Sequence, residues 1–161
     1  ELIEIVGMTF ERAMEIKQNA DIVIGDVVTG SYHLTELEAL SLGKPCLTYL
    51  DGRSVMTFIN TFKTVDIPFV NVNIDNLEPA LEALIRNKDL RTNLGAFSRK
   101  WIEKYYNDEI LIKHFIDLYE KLLNDKPITR ENCSEYTDVK EFLYNQVYDY
   151  NWQRISESPT V

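Results

Sequence analysis

"ADIVIGDVVTGSYHLTELEALSLGKPCLTYL", residues Ala20 to Leu50, decides the fold. It opens on an apolar, β-branched run, Asp21 to Gly25, and passes through a loop containing Gly30 and Ser31. It then enters a leucine-rich stretch from Tyr32 to Leu42, stops at Gly43-Lys44-Pro45 and resumes as a second apolar run, Cys46 to Leu50. Strand, loop, helix, turn and strand in that order make the unit from which parallel sheets are built, with right-handed crossovers.

The same alternation extends both ways. Leu2 to Val6 and Phe69 to Ile74 read as two further strands, and Phe10 to Asn19 and Val55 to Phe62 as helices between them. The expected fold is therefore α/β, a Rossmann-like parallel sheet with helices on both faces. After Ile74 the pattern turns helical, at Leu77 to Asn87, Leu90 to Tyr105, Ile110 to Asn124 and Val139 to Ile155, and Asp75-Asn76-Leu77-Glu78 reads as a capping box for the first of these. The linker-like stretch "NDKPITRENCSEYT" divides the chain into a domain over 1–124 and a segment over 125–161 whose helix is expected to pack back on it. Doubly wound sheets have about five or six strands, and "ELIEIVG" opens directly in a strand. The domain is thus expected to lack its first strand-helix unit, and a sheet cut short in this way to be of limited stability or to form a homodimer.

Composition narrows the function. The chain has 161 residues, 45% of them hydrophobic, enough to bury a core. Seventeen Lys and Arg stand against 26 Asp and Glu, a net charge of −9 that repels phosphate backbones and anionic lipids, so nucleic acid is not an expected partner. No apolar run reaches membrane-spanning length and no leader opens the chain, which makes a cytoplasmic location the expectation. Cys46 falls in a strand run and Cys133 in a polar loop, both read as free thiols.

One residue in the opening stretch breaks its pattern. At 100° per residue Leu34, Leu37, Leu40 and Leu42 share an arc of the helix, Glu38 lies within that arc and Glu36 points to solvent. A carboxylate among leucines needs a hydrogen-bonding partner. Two partners remain open: a bound ligand, or the Thr35 backbone N–H in a capping box Thr35-Glu36-Leu37-Glu38. A helix starting at Tyr32 or His33 favours the ligand, because one starting after Thr35 and stopped at Gly43 is unusually short.

In an open parallel sheet, ligands bind beyond the carboxyl ends of the strands. Gly7-Met8-Thr9, Asp26 through Tyr32 and Asp51-Gly52-Arg53 belong to that edge, whereas Lys44 closes the opposite end and is no phosphate ligand. Gly30 and Ser31 lead into a helix N-terminus suited to a phosphate, and equally fit a turn residue and an N-cap. His33 lies on the binding edge without a metal-ligand partner at suitable spacing, and no nucleophile-base pair is evident.

"ADIVI", the glycine-containing loop and "LEALSLGKPCLTY" together resemble the nucleotide-sugar-binding half of GT-B-fold glycosyltransferases, the retaining, group-1-like branch with a glutamate motif. The resemblance covers about Leu2 to Asn124. It implies a metal-independent transferase moving a sugar from a nucleotide-diphosphate donor to a glycan or cell-surface precursor, with no resident cofactor. It also implies that Glu38 binds the donor ribose hydroxyls, within a nucleotide-sugar-binding set of Met8, Gly30, Ser31, Tyr32, His33, Leu34 and Glu38. The sequence departs from the family where the first glutamate, eight positions before Glu38, is replaced by Gly30; no catalytic residue is therefore assigned. The acceptor-binding N-terminal domain and the basic residues that hold the diphosphate are expected to lie outside this chain, which alone should be inactive. A flavodoxin-like binding or regulatory module, and a nucleotide-sugar epimerase of the same fold, are the alternatives.

Overall fold

A computed structural model describes residues 1–124. The segment 125–161, with the expected helix at Val139 to Ile155 and with Cys133, lies outside the described residues. Within them, helices and strands follow the order α1 (Phe10–Asn19), β1 (Val23–Ile24), α2 (Leu34–Ser41), β2 (Cys46–Thr48), α3 (Gly52–Phe62), β3 (Val70–Asn71), α4 (Leu77–Arg86), α5 (Lys88–Tyr105) and α6 (Asp108–Leu123). The fold is α/β. β2 is the centre of a three-stranded parallel sheet, with Val23 opposite Cys46, Ile24 opposite Leu47, and Leu47 opposite Val70.

Strand side chains alternate between faces, and the core divides accordingly. Cys46 and Phe69 join Ala39 and Leu40 of α2, Val55 and Phe58 of α3 and Trp101 of α5 in one buried cluster. Leu47, Val70 and Val72 join Ala80 and Leu84 of α4 and Leu90 in the other. The sheet is therefore covered by helices on both faces. The first cluster is aromatic at its centre, where Phe58 stacks on Trp101 at 4.9 Å between ring centroids and Tyr32 stacks on Phe69 at 5.4 Å.

Helix starts follow local chemistry. Thr9 caps α1 by accepting the Arg12 N–H, and Asn87 and Asn107 cap α5 and α6 in the same way. The Asp51 carboxylate accepts the Ser54 N–H at 2.8 Å, which starts α3 at Gly52, earlier than the expected Val55. The capping box expected at Asp75 to Glu78 is not formed. Asn76 is the N-cap of α4, but its side chain accepts the Asn73 N–H at 2.8 Å and so stabilises the preceding turn.

The expected strand at Leu2 to Val6 is also corrected. Those residues form no ladder, and Leu2, Ile3 and Val6 are exposed. An apolar, β-branched run supplies strand propensity, but a strand exists only where neighbouring backbone pairs with it. The three remaining strands are shorter than their apolar runs for the same reason. Among the described residues, no helix is long and apolar enough to cross a membrane.

Cys46 sits wholly buried in β2. Burial first, and the nearby Glu36 carboxylate second, push its thiol well above the ordinary cysteine range. Because the thiolate is the reactive form, Cys46 should resist iodoacetamide in the native protein and react only on unfolding. Peptide mass mapping after timed alkylation checks this; rapid native labelling of the Cys46 peptide would mean that β2 opens readily.

Candidate functional site

β1 runs straight into the loop 26–33, which lies at the carboxyl end of the sheet and feeds the N-terminus of α2. Asp26 organises the near end of this loop. Its carboxylate accepts the Val28 and Thr29 N–H groups at 2.7 and 2.8 Å and the Thr29 hydroxyl at 2.5 Å, and His33 Nε2 lies 3.3 Å away. The Thr29 hydroxyl and N–H, helped by Val28 and His33, hold the Asp26 carboxyl well below the usual carboxylate range against an opposing effect of burial. The Asp26 carbonyl accepts the Thr48 hydroxyl at 2.8 Å and the Tyr49 N–H at 2.7 Å, fastening the loop to β2.

Glu36 closes the loop from beneath. One carboxylate oxygen accepts the Asp26 N–H at 2.8 Å and the other the His33 N–H at 2.9 Å, so a single side chain ties both ends. Glu36 is 1% exposed, which reverses the expectation that it faces solvent. The cause is local: two part-buried backbone N–H groups at a turn into a helix would otherwise lack acceptors. A methyl group at Gly25 would overlap the Glu36 side chain, so only glycine leaves room for the carboxylate.

Gly30 joins the loop to α3. Its φ of +82° is in the region glycine favours, its carbonyl accepts the Asp51 N–H at 2.9 Å, and a Cβ there would stand 2.9 Å from Asp51 Cβ. Asp51 in turn holds the exposed Arg53 guanidinium, at 2.8 and 3.1 Å. Burial raises the Asp51 carboxyl, but the Ser54 N–H and Arg53 outweigh it and leave it below the ordinary value.

Glu38 answers the question raised by its helix in an unexpected way. Its Oε2 is 2.5 Å from Lys17 Nζ of α1, and that ammonium lies 3.5 Å from the Thr35 hydroxyl. Glu38 therefore does not cap at Thr35; the capping reach is made by Glu36 to the N–H of His33, the N-cap residue, and α2 begins at Leu34. That start precedes Thr35 but comes one or two residues later than expected, and α2, at eight residues, is itself short, so helix length does not favour a ligand over a local partner. The leucine arc is also corrected: Leu40 is buried, but Leu34 is 69% exposed. Glu36 turned inward rotates the first turn of α2 so that Leu34 faces out.

Of the expected set, Gly30, Ser31, Tyr32, His33 and Leu34 are contiguous along the loop and the start of α2. The Tyr32 ring is committed to the core against Phe58 and Phe69, and its hydroxyl is pushed up by burial and by Tyr106. Ser31 makes only a 3.5 Å contact to the Tyr32 carbonyl and is not the N-cap. Met8 stands exposed just before α1. Lys17 was not singled out by sequence, although its place on the inward side of α1, in step with Ala13 and Ala20, was a readable signal. Among the described residues, no group of three or more His, Cys, Asp or Glu side chains is placed to hold a metal ion. Comparison of the chain with models of known protein families, with curated proteins and with solved structures found no match.

Proposed function

We propose that this chain is the donor-binding part of a glycosyltransferase, taking a nucleotide-diphosphate sugar for transfer to a glycan or cell-surface precursor. The observation that carries the reading is the braced loop 26–33, held by Asp26 and Glu36 at the carboxyl end of a parallel sheet and aimed into the N-terminus of α2. Ligands in open parallel sheets occupy that place, and a helix N-terminus favours an anion such as a diphosphate. A loop already rigid before the ligand arrives loses little entropy on binding.

In this reading the small sheet is part of a Rossmann-like GT-B domain, Gly30 and Ser31 approach the donor phosphates and Glu38 accepts its ribose hydroxyls. Met8, Tyr32, His33 and Leu34 border the nucleotide. The sugar is transferred without a metal, and the acceptor is held by a separate domain, so the chain alone binds donor without turning it over.

Calorimetric titration of the full chain with UDP, GDP and ADP tests this. Glu38→Gln keeps an acceptor for Lys17 while removing the charge that strengthens its bonds to a diol, and should weaken binding about tenfold. Thermal melts recorded alongside verify that the variant is folded. Unchanged affinity in a folded variant would sink the ribose assignment.

The competing reading, a binding or regulatory module without catalysis, draws on one observation. Lys17 already partners Glu38 within the chain, so the glutamate does not require a ligand. It expects no saturable binding of any nucleoside diphosphate.

A further inference from the structure

We infer that Lys17 is the positioning residue for Glu38 and that it sets a preference for a ribonucleotide over its 2′-deoxy counterpart. The inference rests on the nucleotide-binding reading above and adds to it a residue from a different helix.

The two carboxylates of α2 are in contrasting states. Glu36 has both oxygens engaged by backbone N–H groups and is sealed from solvent, the arrangement of a structural brace. Glu38 has Oε2 engaged by Lys17, whereas its Oε1 accepts no hydrogen bond from any described residue. The exposures differ in the same direction, with the Lys17 side chain at 5% and the Glu38 side chain at 16%. The ammonium is thus beneath and the carboxylate above it, with one oxygen open.

A buried lysine is costly unless it is paired, and Glu38 is the carboxylate that pairs with Lys17, which fixes the two side chains to one another. An ionised carboxylate has about four lone-pair sites, and Lys17 uses one. Those remaining suit the two O–H donors of a vicinal diol. Charge supplies the second argument: the chain carries −9, and a nucleoside diphosphate is itself an anion that a lone carboxylate repels. Lys17, at 2.5 Å, offsets the repulsion that Glu38 would exert on a diphosphate, while the carboxylate stays ionised and keeps its acceptor capacity. The Thr35 hydroxyl, 3.5 Å from Nζ, limits how far the ammonium can swing.

The test compares ribose with deoxyribose. The full-length chain and its Lys17→Met, Lys17→Gln and Lys17→Arg variants are titrated with UDP, GDP and ADP and with dUDP, dGDP and dADP. For whichever base binds, the wild type should prefer the ribonucleotide about tenfold, the worth of one charge-assisted hydrogen bond. Lys17→Met and Lys17→Gln should reduce that ratio to about twofold or less, and Lys17→Arg should restore most of it. A merely structural lysine would lower the melting temperature and leave the ratio alone, which would overturn the inference. A second readout needs no variant: the Cε resonance of Lys17 in the wild type should shift with the ribonucleotide and not with its 2′-deoxy form. A stationary resonance overturns the inference as well. If none of the six nucleotides binds the wild type, the nucleotide-binding reading itself has failed; if they bind and the ratio ignores Lys17, only the role of Lys17 has.

Discussion

Glu36→Ala should lower the stability of the chain by about 2–5 kcal/mol, because it leaves the N–H groups of Asp26 and His33 without an acceptor, at about 1–3 kcal/mol each. Relief of the carboxylate's own desolvation offsets part of this loss, which keeps the expectation below a simple sum of larger values. Against a typical total of about 5–15 kcal/mol, the change is enough to threaten folding at ordinary temperature. Glu36→Gln should be milder, since one acceptor oxygen survives while the amide nitrogen faces an N–H. Urea unfolding gives the loss as a fall in midpoint at unchanged slope. Hydrogen exchange gives its location, because the Asp26 and His33 amides should lose protection before the rest of the sheet. A cost under about 1 kcal/mol, with both amides still protected, would show that other contacts hold the loop.

The second large effect is expected far from the loop, at Gly95→Ala. Gly95 is buried in the middle of α5, where it packs against the turn that ends α2. A methyl group there would run into the Gly43 carbonyl, with Pro45 Cδ 3.6 Å away. In an isolated helix the substitution would gain about 1 kcal/mol of propensity. Here the obstacle is backbone, which cannot rotate aside as a side chain would. α5 must instead back away from α2, disturbing the Arg99 bond to the Ser41 carbonyl. Overpacking of this kind costs about 1–3 kcal/mol, so Gly95→Ala should be destabilising by about 2 kcal/mol despite its better helix propensity. Calorimetry should show a lowered melting temperature; a raised one would mean that α5 is not seated on the 43–45 turn.

These two sites frame what could be read from the sequence. The β1-α2-β2 unit was legible because apolar runs of strand length flank a run with helical spacing, and Gly43-Lys44-Pro45 can only end that helix. The placement of Cys46 in a buried strand and the start of α2 before Thr35 follow from the same local evidence. The loop 26–33 could be assigned to the carboxyl edge of the sheet, since strand direction alone determines which loops gather there.

Which side of α2 faces inward was not legible. Periodicity sets the angles between Leu34, Glu36 and Glu38 but not the direction of the whole set, and the leucines suggested the wrong rotation for the first turn. The direction was decided by the N–H groups of Asp26 and His33, whose pairing with Glu36 outweighs one exposed leucine at a helix end. Leu2 to Val6 shows the same limit, because propensity belongs to a segment but a ladder requires a neighbour. Lys17 and Glu38 are 21 positions apart, and nothing in their own stretches joins them. The sequence by itself determined the alternation of helix and strand from Phe10 to Asn71 and which loops gather at the carboxyl edge of the sheet, since both depend on local patterns and chain direction. Only the tertiary structure decided which carboxylate braces the loop and which pairs with Lys17, because that choice depends on backbone and side-chain partners brought together by folding.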